Sequence, residues 1–453
     1  MPRLNLALSM IVKNGERDLA ECLASVAGVV SEIVVADTGS TDGSIEIARS
    51  AGARVFSTPW ADDFAAARNL SLAQVTADWV LMLDADERLD PQAANVLPPL
   101  LANRNMAGYQ VIIRNYVNSL DTKIWDRPAK ANDSAYAPAR DCPGYIDHEN
   151  VRLFRRDPEV YFTGRVHETV GWRIISTRRT LGHSQLIVHH LGMLRDAEER
   201  ARKLMFYREL GRQKVRDMPE NSQAHFELGV SELENFGNIQ EALAAIQRSC
   251  ELNPQFGVAW FFAGVCHFRL GDFPAALACF QHAERTGQAT AWTAEMAGDA
   301  CYNLGDYQAA ETRYRRALKR EPASATLQSK LGLAEARGGN PRAGLRRIHK
   351  AIESQPANPE LYDRLILVEV WLNNLSGAAE AAGRKLQAVQ PKPEDYQRAA
   401  SIRARMEEWQ KAADVLREGL AAFPGSEALR ANLCSIETEL DEATAQVSCS
   451  PKH

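Results

Sequence analysis

The chain lacks several features that would assign it to a common class of protein. Its 453 residues contain no run of about 20 consecutive apolar side chains, so we expect no transmembrane segment. The formal net charge is −5, without the basic excess of nucleic-acid-binding proteins, so we expect no nucleic-acid partner. Its eight cysteines show no CxxC spacing, which favours a reducing, cytoplasmic location.

Short apolar runs alternate with helical patterns from the N-terminus to about Leu97. Strands separated by helices of this length indicate parallel strands in an α/β sheet. Asn5 and Ser9 interrupt the first run, and no small-residue cleavage site follows it, so we interpret it as a strand and not as a signal peptide. The predicted strands are LNLALSMIV, EIVVA, ARVFS and WVLML.

The stretch 118–144 is polar, rich in Pro, Asp and Ala, and shows no period, so we expect a long irregular loop there. The segments VRLFRR, VYFTGRVHETV and TLGHSQLIVHHLG then predict strands and turns that complete a first domain at residues 1–194. Residues 195–222 predict one long linker helix.

A period of 34 residues dominates the rest of the chain. It is marked by glycines at 237, 271, 305 and 339, and six repeats can be laid over residues 223–426. This period is the signature of tetratricopeptide repeats, whose helix pairs stack into a solenoid. Gly264, Gly298 and Gly332 fall where two helices must touch, and residues 427–453 predict a cap helix and tail. Two roles stay open for the repeats: packing, scaffolding or dimerisation, and a peptide-binding groove.

Polar clusters follow three of the predicted strands. They are KNGER after the first, DTGSTDG after the second and DADE after the fourth. Ligands of parallel sheets bind at the carboxyl ends of the strands, so we expect the clusters to line one site. None of them has the GxGxxG pattern of a dinucleotide-binding dehydrogenase or the glycine-rich basic loop of a sugar nucleotidyltransferase.

The DADE cluster predicts a metal–diphosphate site. If the strand continues, Asp84 and Asp86 share one face and Glu87 points away. Two carboxylates held so close repel each other unless a cation neutralises them. Mg²⁺ binds one or two carboxylates and leaves its other positions to water and phosphates. The alternative is a solvated acidic turn that caps the next helix.

Asp37 ends the second strand, where its carboxylate can accept hydrogen bonds from a base or ribose. The alternative is an ordinary helix cap around Thr41 or Asp42. The polar residues Lys13, Asn14, Glu16 and Arg17 follow the first strand at the same edge.

Arg68 lies on the predicted helix that leads into the DADE strand. Its guanidinium is suited to bind a diphosphate. The alternative is a surface ion pair with Asp62 or Asp63.

These motifs, in this order over residues 4–97, resemble the start of a family-2 glycosyltransferase of the GT-A fold, a Rossmann-like nucleotide-sugar domain. The resemblance implies that Asp37 contacts the nucleotide base, and that Asp84 and Asp86 form the DxD element that grips the ribose and a metal-bound diphosphate. The implied cofactor is Mg²⁺ or Mn²⁺, and the implied donor is a UDP- or GDP-sugar. The family's first motif has an acidic residue directly after Asn, whereas Gly15 separates Asn14 from Glu16 here.

The resemblance also implies that the enzyme inverts the anomeric carbon of the sugar by direct displacement of the nucleoside diphosphate. This reaction needs a base to deprotonate the acceptor. We expect Glu168 to be that base, with His167 as the second candidate; the alternative for both is a strand with an exposed ion pair. His190 begins a His-x-Gly that similar sequences share, and it can supply a metal ligand. The alternative is a satisfied histidine at the junction with the linker helix. Candidates for sugar or acceptor contacts are Trp125, Asp126, Tyr145 and Asp147.

Similar chains that join such a domain to tetratricopeptide repeats include the sublancin-type peptide S-glycosyltransferases. We therefore expect a metal-dependent inverting glycosyltransferase that acts on a peptide or protein acceptor recruited by the repeats. The alternatives are a transferase of cell-surface polysaccharide or glycolipid synthesis, and a non-catalytic repeat scaffold with a degenerate transferase domain. A homodimer built through the repeats is a further prediction.

Overall fold

The structure is a computed structural model, and it describes residues 5–120, 122–124, 127–134, 136–195 and 197–448. The chain divides into two compact units, Met1–Asn238 and Ile239–His453. Across the described ranges, no helix has both the length and the apolar character needed to cross a bilayer.

The first unit begins with the alternation of strands and helices that the sequence predicts. Its elements up to residue 102 are β1 (Leu6–Val12), α1 (Glu16–Ser25), β2 (Glu32–Asp37), α2 (Ser44–Ser50), β3 (Arg54–Ser57), α3 (Phe64–Ala73), β4 (Trp79–Met82), β5 (Glu87–Leu89) and α4 (Ala93–Ala102). They are followed by β6 (Gly108–Val117), β7 (Lys123–Ile124), β8 (Arg127–Pro128), β9 (Lys130–Ala131), β10 (Gly144–Arg155), α5 (Gly171–Ser176), β11 (Leu181–His190), α6 (Ala197–Asp217) and α7 (Ser222–Asn235).

A mixed sheet forms the centre of this unit. Its strand order is β3-β2-β1-β4-β10-β6-β11-β5, and β9 pairs with β10. The four strands β3, β2, β1 and β4 are parallel, whereas β10 is antiparallel to β4. The predicted α/β fold is confirmed. The carboxyl ends of β2, β1 and β4 are neighbours, so the three polar clusters lie along one edge.

Strand β4 shows why the parallel part of the sheet is stable. Trp79 and Leu81 pack into one hydrophobic cluster, and Val80 and Met82 pack into another. Successive strand side chains point to opposite faces, so both faces of the sheet are covered. The continuous apolar run WVLM is therefore the expected sequence of a strand that is buried on both sides.

Two segments differ from the sequence prediction. Strand β10 begins at Gly144, so Tyr145 and Asp147 lie in a long strand and not in an irregular region. Residues 163–169, predicted as a strand, form a turn closed by a single bridge between Thr163 and Thr169. The extended backbone is broken there because Gly164 has a φ of +96° and His167 a φ of +53°. Trp125 and Asp126 lie outside the described residues.

In the segment predicted as a linker helix, the structure has the single helix α6 (Ala197–Asp217), which belongs to the first unit. Arg208 on α6 makes two 2.8 Å hydrogen bonds to Glu232 on α7. Leu210 is buried on the same helix. Helix α6 is therefore part of the packed unit and not a free connector.

The second unit is helical throughout its described residues. Its helices are α8 (Ile239–Leu252), α9 (Gly257–Arg269), α10 (Phe273–Arg285), α11 (Ala291–Asn303), α12 (Tyr307–Leu318), α13 (Ala325–Arg337), α14 (Pro341–Ser354), α15 (Pro359–Trp371), α16 (Leu375–Ala388), α17 (Pro393–Ala404), α18 (Trp409–Ala422) and α19 (Glu427–Ser448). From α8 to α18, alternate helices begin 34 residues apart. The helical tetratricopeptide solenoid is thus confirmed.

Small residues allow the helices of each pair to approach closely. A Cβ added to Gly264 would lie 2.5 Å from the ring of Phe280, and one added to Gly298 would lie 2.6 Å from the ring of Tyr314. Both contacts are shorter than real Cβ atoms show. The 34-residue recurrence of glycine at this position therefore follows from helix packing.

Candidate active site

The loops that follow β1 and β2 are joined by side-chain to backbone hydrogen bonds. Asn14 Oδ1 accepts a 2.8 Å hydrogen bond from the backbone N–H of Thr41. Glu16 Oε2 accepts one of 3.0 Å from the N–H of Gly43, at the start of α2. Lys13 is exposed beside them. Asn14 and Glu16 thus hold two of the predicted clusters together.

Asp37 is buried at the end of β2 and shapes the loop that follows. Its carboxylate accepts hydrogen bonds from the backbone N–H groups of Gly39, at 3.1 Å, and Ser40, at 3.2 Å. The N-cap residue of α2 is Gly43, which makes no side-chain cap, and Asp42 Oδ1 accepts a 3.1 Å hydrogen bond from the N–H of Ser44. Asp37 therefore fixes the backbone at the site edge.

The DADE cluster lies in a turn between β4 and β5, not in a continuing strand. The predicted alternation of its side chains is therefore wrong, and Glu87 does not point away from the cluster. Glu87 Oε2 accepts a 2.8 Å hydrogen bond from the backbone N–H of Asp84, and its Oε1 accepts one of 2.8 Å from Arg152. Glu87 is 2% exposed. Glu87 therefore stabilises the turn through its hydrogen bond with the backbone of Asp84.

Arg68 binds both Asp84 and Glu168, which lie 16 and 100 residues after it in the sequence. Its Nη2 donates to Asp84 Oδ1 at 2.6 Å, and its Nε donates to Glu168 Oε1 at 2.5 Å. The alternative of a surface ion pair is wrong, because Arg68 is buried and Asp63 instead caps α3 through the N–H of Ala66. A direct contact of Arg68 with a diphosphate stays a prediction.

Asp84 is held between two guanidinium groups. Arg152, on β10, donates to its Oδ2 at 3.2 Å, opposite the contact from Arg68. Burial opposes ionisation of Asp84, but the charges of Arg68 and Arg152 hold its pKa well below the usual range. The Asp84 side chain stays about one third exposed, at 36%, so this carboxylate is both ionised and accessible.

Asp86 faces His190 in the structure. Asp86 Oδ2 lies 3.6 Å from His190 Nε2. Burial opposes ionisation of Asp86, but the interaction with His190 and the charge of Lys203 lower its pKa to about 2. Two ligands at right angles about 2.1 Å from one ion would lie about 3 Å apart, so a small adjustment lets both atoms bind one cation.

His190 is oriented by a neighbour that sequence reasoning missed. Asn115, on β6, donates its amide N–H to Ile146 O at 3.1 Å, so its Oδ1 is left to accept from His190 Nδ1 at 2.7 Å. This assignment leaves the lone pair of the histidine on Nε2, which faces Asp86. Burial lowers the pKa of His190, but the hydrogen bond and charge of Asp86, together with the charges of Glu87 and Asp84, raise it above its usual value.

Gly192 provides the space beside this pair. A Cβ at position 192 would lie 2.4 Å from Asp86 Oδ2 and 2.7 Å from His190 Nε2. In the described part of the chain, no group of three or more His, Cys, Asp or Glu side chains is arranged to hold a metal ion. Asp86 and His190 could therefore supply two ligands, and the space beside Gly192 could admit a cation whose other positions are filled by phosphate and water.

Replacing Gly192 with Ala is expected to weaken Mn²⁺-dependent nucleotide binding by about tenfold, because the new methyl group would occupy this space. Isothermal titration of nucleoside diphosphate in the presence of Mn²⁺ would measure the effect. The control is Gly383→Ala, in α16, where an added Cβ meets no atom within 4 Å. Equal affinity of the wild type and the Gly192→Ala variant would contradict the space assigned to the cation.

The turn that carries Glu168 and His167 is fixed by helix α6. Lys214 Nζ donates to Val166 O at 2.9 Å and also binds Glu227 on α7 at 2.6 Å. Lys214 is 5% exposed. His167 is exposed, whereas the Glu168 side chain is 12% exposed. The structure thus brings Glu168 into the cluster and leaves His167 at its rim.

Three residues of the linker region reach the site without having been predicted. Arg195 Nη2 lies 3.5 Å and Lys203 Nζ lies 4.0 Å from Asp86 Oδ2. Burial raises the pKa of Tyr207, and the negative charges of Asp84, Glu168 and Asp86 raise it further. No sequence motif marks these residues. The only available signal was the position of a basic, amphipathic helix directly after the predicted His-x-Gly.

Two other candidates are engaged in local contacts. Arg114 binds both carboxylate oxygens of Asp147, at 2.9 and 3.0 Å, and stacks over the ring of Tyr145 at 3.9 Å. His189, next to His190, lies between Asp90 at 2.9 Å and the Tyr116 hydroxyl at 2.8 Å. His189 is thus a satisfied buried histidine. A role of Tyr145 and Asp147 in sugar or acceptor contacts stays a prediction.

Comparison with known proteins agrees with this architecture. Residues 8–161 match glycosyl transferase family 2. Residues 192–255, 234–289 and 295–341 match the tetratricopeptide repeat. The first match includes Asp37, Arg68, Asp84 and Asp86, but it ends before Glu168 and His190.

Three curated relatives are similar to parts of the chain. A TPR repeat-containing protein of Synechococcus elongatus is 32% identical, over 42% of this chain and 43% of its own. The lipopolysaccharide core biosynthesis glycosyltransferase LpsC of Rhizobium meliloti is 36% identical, over 38% of this chain and 58% of its own. The SPbeta prophage-derived glycosyltransferase SunS of Bacillus subtilis is 22% identical, over 36% of this chain and 34% of its own.

The chain thus spans about half the length, or less, of these curated relatives. The first family match contains the DADE turn and most strands of the mixed sheet, and the second overlaps the first part of the 34-residue helical period. The chain therefore contains a glycosyl transferase family 2 domain followed by tetratricopeptide repeats.

Proposed function

We propose that this protein is a metal-dependent inverting glycosyltransferase that uses a UDP- or GDP-sugar. The observation that carries the proposal is the Arg68 bridge, which holds Asp84 and Glu168 in one cluster at the carboxyl edge of the sheet. This arrangement places Asp84, which is accessible to a donor, near Glu168, a carboxylate that can act as the general base for the acceptor.

The donor is held by the loops at the ends of β1, β2 and β4. In this proposal Asp37 and its loop receive the nucleotide base, and Asp84 receives the ribose. Lys13, Asn14 and Glu16 line the same edge, and the hydrogen bonds of Asn14 and Glu16 to the β2 loop keep this edge preformed. A preformed edge costs little ordering entropy when the donor binds.

Asp86 and His190 hold the divalent cation, Mg²⁺ or Mn²⁺. Their 3.6 Å separation, the orientation of His190 by Asn115 and the space beside Gly192 support this assignment. When bound, the cation supplies Lewis-acid stabilisation of the diphosphate.

The reaction is a single displacement at the anomeric carbon. Glu168 accepts the proton of the acceptor nucleophile, and His167 is the second candidate for that role. The nucleophile forms its bond to the anomeric carbon from the side opposite the diphosphate. The bond between that carbon and the diphosphate oxygen breaks, and its electron pair leaves with the nucleoside diphosphate. Atoms and electrons balance in this step, and no further reactant is needed.

Release of nucleoside diphosphate from a panel of UDP- and GDP-sugars, with Mn²⁺ and with or without cell lysate, tests this proposal. We expect release with one donor, stimulated by lysate and abolished by chelation of the cation. A complete absence of release and of nucleotide binding with every donor would contradict it and favour the degenerate scaffold.

Two acceptor classes have support. A peptide or protein acceptor is supported by the repeats, because tetratricopeptide solenoids present surfaces to other polypeptides. A cell-surface glycan is supported by the similarity to LpsC, whose name assigns it to lipopolysaccharide core biosynthesis. We place the recruited peptide or protein first. We also propose a cytoplasmic location, since the seven described cysteines form no disulfide.

Transfer of a radiolabelled sugar to whole-cell extract separates the two classes. If the acceptor is a protein, the label enters a fraction that proteinase K converts to small fragments. If it is a lipopolysaccharide or another glycan, the label resists the protease and follows the lipid or polysaccharide fraction. The assay uses the whole chain of 453 residues and not residues 1–194, because the first unit also contains α6 and α7.

A further inference from the structure

Helix α6 presents one face toward the candidate active site. Lys203, Tyr207, Leu210 and Lys214 follow one another at intervals of four, three and four residues, which puts them on one side of a helix. Leu210 and Lys214 are 2% and 5% exposed, so this side is the inner one. Lys203 and Tyr207 extend the same side beyond the buried contact.

Aromatic contacts fix how α6 is rotated about its axis. The ring of Tyr207 lies 5.7 Å from that of Phe64, at the start of α3, and the ring of Phe206 lies 6.5 Å from it. Trp60 packs on Phe64 at 4.7 Å and on Phe206 at 6.2 Å. These contacts add stability beyond simple area burial. They hold the Lys203 side of the helix toward the site.

Of the two basic side chains near Asp86, Arg195 and Lys203, Lys203 is the one that can bind a further anion. Its Nζ lies 4.0 Å from Asp86 Oδ2, which is too long for a hydrogen bond, and its side chain is 47% exposed. Arg195, by contrast, is 24% exposed and already binds Asp18 and Glu199. Within the part of the chain that the structure describes, no hydrogen bond engages the ammonium of Lys203, so its donors can serve a ligand.

The charge around Lys203 indicates the kind of ligand. The guanidinium groups of Arg68 and Arg152 are buried and bound to carboxylates, so they neutralise the protein's own charge. A departing nucleoside diphosphate gains negative charge as its bond to the sugar breaks. A partly exposed lysine next to the proposed cation-binding edge is suited to receive that charge.

We propose that Lys203 binds the diphosphate of the nucleotide, so that the helix leading into the repeats forms part of the donor site. The inference rests on the proposed glycosyltransferase function. The family match that covers the donor domain ends at residue 161, 42 residues before Lys203. Residues 1–194 alone would therefore make an incomplete donor site.

The test compares the affinity of the full-length wild type and Lys203→Gln for UDP and GDP, and for the corresponding monophosphates, by isothermal titration with and without Mn²⁺. We expect Lys203→Gln to weaken diphosphate binding by about tenfold or more and monophosphate binding by much less. Lys203→Arg should restore part of the loss. The matched control is Arg202→Gln, which removes an exposed positive charge from another face of α6.

The outcomes are distinguishable. If the wild type binds a diphosphate and Lys203→Gln binds it equally well, the inference is overturned and the proposed function stands. The inference is also overturned if Arg202→Gln weakens binding as much, because only general charge attraction would then act. If the wild type binds none of the nucleotides, the proposed function and the inference fail together.

Discussion

Replacing Asp86 with Asn is expected to reduce sugar transfer by at least about 100-fold, because it removes the only carboxylate that faces His190 Nε2 among the described residues. Burial disfavours the charged form of Asp86, yet its pKa is lowered to about 2, so it is ionised at neutral pH. Asn has the same shape but carries no charge. The loss should therefore reflect a weaker grip on the cation and the diphosphate rather than a change of fold.

Two measurements on the Asp86→Asn variant make this prediction specific. Nucleoside diphosphate release gives the activity, and titration with Mn²⁺ in the presence of nucleotide gives the affinity for the cation. Thermal unfolding should change little, since Arg195 keeps its contacts with Asp18 and Glu199. Asp141→Asn, which alters an exposed carboxylate of the same unit, is the control. Unchanged release from the Asp86→Asn variant would rule out the proposed cation site.

The sequence predicts those parts of the fold that short-range patterns control. The alternation of apolar runs and helical segments predicts β1 to β4 with their helices, and the runs in β1, β2 and β4 are those of strands covered on both faces. The 34-residue period gives the starts of α8 to α18, because close helix contacts such as Gly264 against Phe280 recur at Gly298 and Gly332 in the following units. Each of these signals arises from neighbouring residues in the chain.

The rest of the fold depends on long-range pairing, which local patterns do not reveal. Strand β6 and the first half of β10 were not predicted, because polar residues such as Asn115 and Asp147 interrupt their apolar pattern. These polar residues are explained by their partners: Asn115 binds His190, and Asp147 binds Arg114. The turn at 163–169 differs from the strand predicted there because Gly164 and His167 both adopt a positive φ, and of the two only glycine is a residue type that marks a turn.

In the candidate site, too, the sequence reveals local spacing but not long-range contacts. Asp84 and Asp86 were found from their spacing, although the argument from strand alternation was wrong and the turn brings Glu87 into the same cluster. The partners of Arg68 were not foreseen, because Glu168 is 100 residues away in the sequence. Arg152 and Tyr207 could be recognised only after β10 was known to pair with β4 and α6 to pack on the same unit.

Substitution of Glu168, the proposed base, is the second change expected to have a large effect on the rate of transfer. Replacing Glu168 with Gln should lower kcat by about 100- to 10,000-fold, the range that general-base catalysis contributes. The amide oxygen of Gln can still accept the hydrogen bond from Arg68 Nε. Lys214 would still hold the turn through Val166 O. The variant is therefore expected to fold and to bind the donor with an affinity within a few fold of wild type.

The control for this prediction is His167→Gln, because His167 is the second candidate and lies one residue away in the same turn. If Glu168 is the base, kcat collapses in Glu168→Gln and stays within a few fold in His167→Gln. The rise of kcat/KM with pH that reports the base should also disappear only in Glu168→Gln. If the two variants exchange these behaviours, His167 removes the proton, and Glu168 serves through Arg68 to hold Asp84 in position. A loss of donor affinity in Glu168→Gln, with kcat unchanged at saturation, would instead assign Glu168 to donor binding.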